Sequence, residues 1–574
     1  MIKRLYPYMH KYKKQLFLAC FCVVAETVFE LIIPVFMADL IDVGISQGNR
    51  DVIMEQGLLM LFCALCSLIL GILYARYAAL AGQGFGAQLR KAQFEKLQDF
   101  TFSNIDHFST ASLITRLSSD TAIIQGAVSN GIRPLVRSPV MMLSALIFTF
   151  AINLKLACIF LITMPVLGIG LWIIVHKVAP YYRRMQQAVD KVNVVVQENI
   201  NAIRVVKAYV RDDYEEAKFD KVSKELQAVS VRSFSTSVWN LPLFQAVVYA
   251  TMVCLLWFGG NMIFEGSMQV GELTGFLSYV LQILNGLMML SNVFLMLTRS
   301  MAGGERILEV LDEPISMTSP QDSELEIIEG SISFRHVSFK YHSEASENVL
   351  SDIHLSIPAG STIGILGGTG SAKSTLVQLI PRLYDVSEGQ VLIDHHDVKE
   401  YSLSQLRASI AMVLQKNTLF SGTIRENLLW GNPNADDAAL KQALRISCAD
   451  EFVNAFPNGL DTWLEQGGVN LSGGQKQRLC IARALLKQPK ILIFDDSTSA
   501  VDSATEQSIK AGLAQLKNTT VIIIAQRISS VMSCDQIIIL EDGKVNAVGN
   551  HDTLSANNQI YQEIYQSQKE GAML

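Results

Sequence analysis

A glycine-rich turn lies between a strand-like run and a helix-like run, and its residue types suit phosphate binding. The apolar residues 362–366 precede the turn, and the helical pattern LVQLIPRLYD follows it. Backbone N–H groups in such a turn, and the dipole of the following helix, point towards a phosphate group. Lys373 is then positioned to reach the β- and γ-phosphates of a nucleotide, and the Ser374 hydroxyl to ligate Mg²⁺. The predicted phosphate-binding residues are Gly367, Gly368, Thr369, Gly370, Ser371, Ala372, Lys373, Ser374 and Thr375, with alanine at 372 where the usual P-loop pattern has glycine.

A pair of acids ends a second strand-like run further along the chain. The apolar residues 491–494 lead directly into Asp495 and Asp496. An apolar strand that ends in an acid is the Walker-B arrangement, in which the carboxylate of Asp495 supports the Mg²⁺ bound to a nucleotide. The two motifs together predict a nucleotide-binding domain with ATP and Mg²⁺ as its ligands.

The first half of the chain is apolar enough to cross a membrane several times. Hydrophobic residues make up 50% of the chain, charged residues make up 17%, and the mean hydropathy is +0.29. Six apolar stretches are each long enough for a helix to span a hydrocarbon core of about 30 Å. These stretches are residues 16–41, 58–80, 135–152, 156–178, 238–264 and 273–297. The net charge of −6 gives no electrostatic footprint for nucleic acid, so we expect no nucleic-acid partner.

The connections between the apolar stretches predict the orientation of the chain in the bilayer. Residues 81–133 and 179–237 form long, polar, helix-patterned connections, and the second of them is rich in Lys and Arg. The N-terminal segment MIKRLYPYMHKYKK is also basic, so the positive-inside rule predicts that it and both long connections are cytoplasmic. An even number of spans leaves the C-terminal half in the cytoplasm too. We therefore expect a multi-pass protein of the cell membrane.

The second half of the chain has the pattern of a soluble α/β domain. Residues 314–328 are polar and hold two prolines, which predicts a linker between a transmembrane domain at 1–313 and a nucleotide-binding domain at 329–574. Beyond the linker, strand-like runs alternate with helical stretches, and this alternation predicts a largely parallel sheet. The strand-like runs are TIGILG, QVLID, ILIFDD, TVIIIAQ and QIIILED.

A short motif between the two nucleotide-binding motifs narrows the interpretation to one family. Leu471, Ser472, Gly473, Gly474 and Gln475 form the sequence LSGGQ, which is followed by Lys-Gln-Arg. With this motif the chain resembles the ATP-binding-cassette (ABC) exporters over nearly its full length. The resemblance implies a membrane α-helical domain of the exporter type, with six transmembrane helices, fused to an α/β P-loop NTPase nucleotide-binding domain. It also implies a dimer with a second half-transporter, in which each LSGGQ signature contacts the γ-phosphate held by the opposing subunit.

The same resemblance assigns roles to further residues. Tyr341 matches the aromatic residue that stacks on adenine, and Gln415 matches the glutamine that senses Mg²⁺ and faces the membrane domain. Two short helices, near residues 104–108 and 209–214, match the helices that dock on the nucleotide-binding domains. The segment that resembles the D-loop at the dimer interface consists of Ser499, Ala500, Val501 and Asp502.

The chain departs from the family pattern on the face that it presents to its own nucleotide. Ala372 stands in place of a P-loop glycine, Asp496 in place of the glutamate that acts on the attacking water, and Gln526 in place of the switch histidine. Aspartate is shorter by one methylene, and glutamine cannot carry the positive charge of a protonated histidine. Because the LSGGQ face is intact, we predict a heterodimer in which this chain's own ATP site hydrolyses slowly or not at all. The alternative is a homodimer that hydrolyses slowly.

The predicted function is export of hydrophobic or amphipathic compounds, drugs among them, out of the cytoplasm or the inner leaflet. The resemblance is to the bacterial heterodimeric multidrug exporters, which also suggests a bacterial source. A lipid or peptide exporter, or a regulatory subunit that only senses nucleotide, is the alternative. Glu26 and Glu30 lie one helical turn apart inside the first span, where an acid is costly and is a candidate for function. They either attract cationic substrates, form hydrogen bonds with neighbouring spans or lie near the inner membrane boundary.

Overall fold

The computed structural model divides the chain into two compact units. One unit comprises Met1–Gln98 with Thr110–Glu313, and the other comprises Asp99–Ser109 with Pro314–Leu574. Across both units the structure describes residues 2–320, 323–342, 344–496, 502–516 and 518–571. The division after Glu313 coincides with the predicted start of the linker. Residues 99–109, however, cluster with the second unit and not with the transmembrane domain in which the sequence analysis placed them.

Long helices make up the first unit, because a segment that crosses lipid must satisfy its backbone hydrogen bonds internally. The helices are α1 (Ile2–Met9), α2 (Lys13–Asp39), α3 (Arg50–Gln98), α5 (Thr110–Thr115), α6 (Thr121–Ile152), α7 (Leu154–Asn201), α8 (Ile203–Ala208), α9 (Asp212–Ser237), α10 (Asn240–Phe264) and α11 (Val270–Asp312), while α4 (Phe102–His107) belongs to the second unit. Among the described residues, six helical stretches are long and apolar enough to cross a membrane. Six membrane helices were expected, and that prediction is confirmed. The stretches are Lys3–Ile45, Arg50–Gln98, Thr110–Ile152, Leu154–Asn201, Asp212–Phe264 and Val270–Leu290.

The spanning helices extend far beyond the apolar stretches of the sequence. α3 contains 49 residues and α7 contains 48. At a rise of about 1.5 Å per residue each is roughly 70 Å long, which is more than twice the thickness of a hydrocarbon core. Much of each polar, helix-patterned connection therefore continues a membrane helix, and the short helices α4, α5 and α8 lie between these continuations.

The second of the two short helices lies slightly earlier than the sequence suggested. It was expected near residues 209–214, but α8 covers Ile203–Ala208 and α9 begins at Asp212. Val210, between them, has a φ of 51°, a left-handed conformation that interrupts a helix. The break between α8 and α9 therefore falls within the segment that was predicted to be the short helix.

Aromatic side chains form part of the buried core of the first unit. Phe160, Phe276 and Tyr279 are fully buried, and the rings of Phe160 and Phe276 stack at 6.2 Å between centroids. The Tyr279 hydroxyl donates a hydrogen bond of 2.7 Å to the carbonyl oxygen of Leu31. These contacts join α7, α11 and α2 in one packed cluster.

Strands and shorter helices make up the described part of the second unit. Its strands are β1 (Ile332–Phe339), β2 (Leu350–Ile357), β3 (Thr362–Gly367), β4 (Glu388–Ile393), β5 (His396–Asp397), β6 (Ile410–Val413), β7 (Gly422–Thr423), β8 (Trp463–Leu464), β9 (Ile491–Asp495), β10 (Thr520–Ile524), β11 (Gln536–Glu541) and β12 (Lys544–Gly549). Besides α4, its helices are α12 (Lys373–Gln378), α13 (Leu403–Ala408), α14 (Ile424–Leu429), α15 (Asp437–Ile446), α16 (Asp450–Ala455), α17 (Gly473–Leu486), α18 (Ser503–Leu513), α19 (His551–Asn557) and α20 (Gln559–Gly571). The predicted α/β class is confirmed.

The main sheet carries the predicted nucleotide-binding motifs. Its strand order is β12-β11-β3-β10-β9-β6, and all neighbours are parallel except β11 and β12. Alternate residues of β9 and β10 enter two different core clusters, so the sheet is buried on both faces. Burial on both faces explains why these strands are almost continuously apolar in sequence. A second, antiparallel sheet has the order β2-β1-β4-β5, and its strand β4 contains the first four residues of the predicted strand QVLID.

A single carboxylate holds the end of the linker against the second sheet. Asp394 follows β4, and its two oxygens accept hydrogen bonds of 2.8–2.9 Å from the backbone N–H groups of Ile328, Glu329, Gly330 and Ser331. Burial acts to raise the pKa of Asp394, but these hydrogen bonds outweigh it and the pKa lies below its usual value. The contact fixes the chain where it enters β1.

Candidate nucleotide-binding site

The glycine-rich turn encloses the ammonium group of Lys373. As predicted, the turn follows β3 and leads into α12. The Lys373 Nζ donates hydrogen bonds to the carbonyl oxygens of Gly367 (2.9 Å) and Gly368 (2.7 Å) and to Ser371 Oγ (3.3 Å). Burial lowers the pKa of Lys373, and two nearby carboxylates oppose that change. The turn therefore holds a cation beneath an exposed backbone, an arrangement that fits a phosphate group.

Ala372 keeps the shape of this turn in a conformation that favours glycine. It precedes α12 with φ 65° and ψ 27°, in the left-handed region. A residue with a Cβ is less stable there by roughly 1–2 kcal/mol, whereas glycine adopts the region freely. The alanine therefore adds strain to the turn without unfolding it.

Two predicted Mg²⁺ ligands lie together beside the turn. The Ser374 hydroxyl donates a hydrogen bond of 2.6 Å to Asp495 Oδ1. Burial raises the pKa of Asp495, while the hydrogen bond from Ser374 opposes that rise. Hydroxyl and carboxylate oxygens are the ligands that Mg²⁺ prefers, so this pair fits the ion.

Gln415 lies just beyond the C-terminal end of β6, the strand next to β9. β6 is parallel to β9, and Val413 of β6 is paired with Phe494 of β9. Gln415 and Asp496 each lie two residues beyond this pair, at the same edge of the sheet. Sheet register therefore explains how residues 81 positions apart approach one site.

The second and third departures from the family pattern contact each other. The Gln526 Nε2 donates a hydrogen bond of 2.7 Å to Asp496 Oδ2. Asp496 follows β9 and Gln526 follows β10, and these strands pair in parallel up to Asp495 and Ile524. Asp496 also has a left-handed backbone, with φ 47°. The two side chains predicted to act on hydrolysis thus form one unit at the sheet edge.

Tyr341 lies next to the helix that follows the glycine-rich turn. Its hydroxyl oxygen is 2.9 Å from Thr375 Oγ1, which is a hydrogen-bonding distance, and the residue is 40% exposed. The rings of Phe339 and Tyr384 meet it edge-on, at 4.9 and 5.1 Å between centroids. The Tyr341 ring is thus packed against two aromatic rings while it remains partly exposed, as the predicted stacking on adenine requires.

The signature motif forms the start of α17. Leu471 is buried in the core, while Ser472 and Gly473 are exposed. Ser472 and Gln475 form a reciprocal capping box: the Gln475 N–H donates to Ser472 Oγ at 3.3 Å, and the Ser472 N–H donates to Gln475 Oε1 at 2.9 Å. This cap holds the first turn of a 14-residue helix rigid and open to solvent.

The predicted D-loop is described only in part. Ser499, Ala500 and Val501 lie outside the described residues, whereas Asp502 caps the start of α18. Asp502 accepts hydrogen bonds from the backbone N–H (2.9 Å) and the hydroxyl (2.8 Å) of Thr505, and these bonds lower its pKa.

Known proteins resemble the chain along nearly its whole length. The family model for the ABC transporter transmembrane region matches residues 16–288, and the ABC transporter model matches residues 350–499. The uncharacterized ABC transporter ATP-binding protein YfiB of Bacillus subtilis (strain 168) is 37% identical over 551 residues, which cover 96% of each chain. The chain belongs to the ABC transporter family.

Two further relatives extend this identification. The ATP-dependent lipid A-core flippase of Desulfotalea psychrophila is 32% identical over 576 residues, which cover 99% of each chain. A bacterial Atm1-family ABC exporter, solved with ATP bound, has the same fold, with a TM-score of 0.82 over 97% of this chain and 98% of that chain, at 23% identity. The chain is thus an ABC half-transporter with the fold of an ABC exporter, a transmembrane domain fused to an ATPase domain whose hydrolysis is coupled to transport.

In this ABC half-transporter, α4, which covers the first of the two predicted docking helices, packs on the rest of the nucleotide-binding unit. The Tyr384 hydroxyl donates a hydrogen bond of 2.6 Å to Asp106 Oδ2, and the ring of Phe102 meets Tyr384 edge-on at 5.9 Å. The Asn104 side chain donates to the carbonyl oxygen of Pro314 at 2.9 Å. These contacts explain why residues 99–109 cluster with the second unit. Sequence reasoning missed Tyr384, since nothing in its local pattern distinguishes it from a core tyrosine.

The two acids of the first span pair with arginines of the third. Arg133 is ion-paired with Glu26, and Arg137 is ion-paired with both Glu26 and Glu30. Glu26 is buried, and the Arg133 guanidinium also lies over the ring of Tyr74, at 5.6 Å from its centroid. The arginines went unnoticed in the sequence, although they repeat the four-residue spacing of the acids. This geometry agrees with the second interpretation of the acids, contact with a neighbouring span.

Proposed function

We propose that this half-transporter is one subunit of a heterodimeric exporter of hydrophobic or amphipathic compounds, drugs among them. Its own P-loop face forms a slow or non-hydrolysing ATP site, and its LSGGQ motif completes an active site on the partner. One observation carries this proposal: Ala372, Asp496 and Gln526 all lie around the chain's own P-loop, while the exposed signature is unaltered. Drift in a homodimer would have no reason to change one face and leave the other.

The contact between Asp496 and Gln526 supports slow hydrolysis at this site. A carboxylate that acts on the attacking water must lie at the right distance, and misplacement by about 1 Å costs roughly 10²-fold in rate. The Asp496 side chain is short and accepts a hydrogen bond from Gln526. Gln526 cannot supply the charge of a protonated histidine to the γ-phosphate. The displaced carboxylate and the uncharged glutamine should both slow ATP hydrolysis more than they weaken ATP binding.

The remaining residues are suited to holding MgATP. The backbone of the glycine-rich turn and Lys373 would hold the phosphates, and Ser374 and Asp495 would hold Mg²⁺. Bound MgATP would supply the negative charge that draws this face and a partner's signature together. Closure of the two nucleotide-binding domains would then shift the population of membrane-domain conformations, because the nucleotide binds the closed state more tightly.

A lipid exporter is the second candidate, and two observations favour it. One relative of nearly equal length is named as a lipid A-core flippase. In addition, the side chain of Arg133 remains 39% exposed despite its ion pair, so it can contact an anionic headgroup. Because Glu26 and Glu30 are already paired with arginines, they support a cationic substrate less well than the sequence suggested.

The decisive experiment neutralises the second Walker-B acid in each subunit in turn. The chain would be co-purified with the product of a neighbouring half-transporter gene, and steady-state ATP hydrolysis would be measured. We expect Asp496→Asn to change the rate little and the equivalent change in the partner to remove nearly all activity. A homodimer in which Asp496→Asn abolishes vigorous hydrolysis would overturn the proposal.

A second experiment separates substrate contact from helix pairing at Glu26. Removing one member of a buried ion pair costs about 3–5 kcal/mol, whereas replacing both members is often near neutral. If Glu26 only pairs with the third span, Glu26→Gln should lower the unfolding temperature and the double variant with Arg133→Gln should restore it, with export of cationic dyes intact. Loss of cationic-dye export in the stable double variant would assign Glu26 to the substrate site.

A further inference from the structure

Gln568 of α20 forms hydrogen bonds with the backbone of Gln526 and of Ile528, on either side of Arg527. The Gln568 Nε2 donates a hydrogen bond of 2.8 Å to the carbonyl oxygen of Gln526. The backbone N–H of Ile528 donates a hydrogen bond of 2.8 Å to Gln568 Oε1. One side-chain amide therefore satisfies a backbone acceptor and a backbone donor two residues apart.

The backbone between these two bonds is extended. Arg527, the intervening residue, has φ −97° and ψ 129°. An extended residue directs its neighbours' polar groups to the same side, which is why a single amide can bond to both. With both bonds made, the course of the chain beyond β10 is fixed relative to α20.

α20 is itself anchored in the core of the nucleotide-binding unit. Tyr561 is fully buried, and its hydroxyl is 2.6 Å from His551 Nδ1. The Gln562 Nε2 donates a hydrogen bond of 2.7 Å to the carbonyl oxygen of Ser555. Gln568 thus extends from a firmly held helix to the segment next to the ATP site.

We propose that Gln568 is a positioning residue for this chain's ATP site. By fixing the backbone of Gln526, it holds the Gln526 side chain against Asp496 and so slows the release of bound nucleotide. The proposal deepens the proposed function, on which it rests, because a slow site must retain ATP between cycles of the partner's site. Gln568 does not touch nucleotide; it acts through Gln526.

The test removes the hydrogen bonds of Gln568 and keeps its size. Gln568→Met would be compared with Gln562→Met, which removes a side-chain bond from the same helix away from the site. Release of radiolabelled ATP from this chain would be followed in the full purified transporter. Loss of a hydrogen bond of ordinary strength predicts release about threefold to tenfold faster for Gln568→Met and little change for Gln562→Met. Equal release rates in the two variants would overturn the proposal.

A double-mutant cycle tests whether Gln568 acts through Gln526. If it does, Gln568→Met should add little to the effect of Gln526→Ala, because the side chain to be positioned is already gone. A general loss of stability would instead make the two effects add, and additive effects would also overturn the proposal. Unfolding temperatures of all variants give the stability directly.

The outcome does not depend on which subunit hydrolyses ATP. If Asp496→Asn showed that this chain is the active site, the proposed function would fail, yet coupling between Gln568 and Gln526 would still be read from nucleotide release. Conversely, an uncoupled pair in a proven heterodimer would reject the role of Gln568 alone.

Discussion

At Ala372 and Asp394, the local backbone geometry makes stability sensitive to a single side chain. Ala372 holds a left-handed conformation at the start of α12, within the turn that encloses Lys373. Asp394 accepts hydrogen bonds from four successive backbone N–H groups at the end of the linker. Ala372 strains the local backbone, whereas Asp394 accepts hydrogen bonds from it. Removing the side-chain feature should therefore stabilise the protein at Ala372 and destabilise it at Asp394.

Ala372→Gly should stabilise the glycine-rich turn. Removing the Cβ relieves roughly 1 kcal/mol of strain in the left-handed region, and we expect ATP to bind about threefold to fivefold more tightly as a result. The dissociation constant of ATP, measured on the purified transporter, checks this. Ala511→Gly, at an exposed position of α18, is the control and should lower stability without changing ATP affinity. Weaker ATP binding in Ala372→Gly would contradict the argument.

Asp394→Asn should lower the free energy of unfolding of the nucleotide-binding unit at neutral pH by roughly 1–3 kcal/mol, because hydrogen bonds to a charged acceptor are lost. The pKa of Asp394 is depressed in the folded state, so its contribution is present above the unfolded pKa of about 3.9 and is lost as pH falls through the folded value. Urea unfolding followed by tryptophan fluorescence, at pH 7 and near pH 3, measures both. A stability difference that grows on acidification would contradict the prediction.

Among the elements, α4 and α12 are joined by a continuous series of contacts within the nucleotide-binding unit. Tyr341 contacts Thr375 of α12 through its hydroxyl and Tyr384 through its ring. Tyr384 in turn contacts Phe102 and Asp106 of α4. A change at the predicted adenine-stacking residue, Tyr341, therefore has a short packed route to α4, the predicted docking helix.

Tyr384→Phe should weaken the coupling between ATP hydrolysis and transport, because it removes the hydroxyl group and leaves the aromatic ring in place. Loss of the hydrogen bond to Asp106, worth about 1 kcal/mol, should lower the amount of substrate moved per ATP by roughly twofold to fivefold. Transport and hydrolysis would be measured on the same vesicles. Tyr401→Phe, which removes a buried hydroxyl bonded to the carbonyl oxygen of Ile393, is the matched control. Equal coupling ratios in the two variants would argue against a role for α4 contact.

Local rules made much of this arrangement predictable from the sequence. The six spans, the largely parallel sheet and the glycine-rich turn follow from local patterns of residue type, whereas the LSGGQ signature was identified by family resemblance and its capping box was not predicted. The contacts of Tyr384, Gln568 and Arg133 do not follow from local patterns, because each joins segments far apart in sequence; Tyr384 and Asp106 are separated by 278 positions. Pairing of this kind depends on how elements pack, which a single sequence does not encode locally.

For the whole molecule, the proposed asymmetry can be tested by restoring the family residues. Asp496→Glu with Gln526→His should raise hydrolysis at this chain's site by about tenfold or more, since misplacement of the catalytic group by about 1 Å costs roughly 10²-fold. The rate would be measured with the partner's second Walker-B acid neutralised, so that only this site contributes. Asp496→Glu alone is the control and should gain less. No gain in the double variant, with ATP binding intact, would show that other residues limit this site.

The ion pairs between α2 and α6 also bear on how the transporter responds to the membrane potential. One elementary charge that crosses the membrane exchanges about 2.3 kcal/mol with the field for every 100 mV. Glu26 and Glu30 carry two negative charges when ionised, and Arg133 and Arg137 carry two positive ones. Because the four charges sum to zero, the field would do almost no net work on them if α2 and α6 moved together. A joint displacement of these four side chains would therefore couple little to the membrane potential.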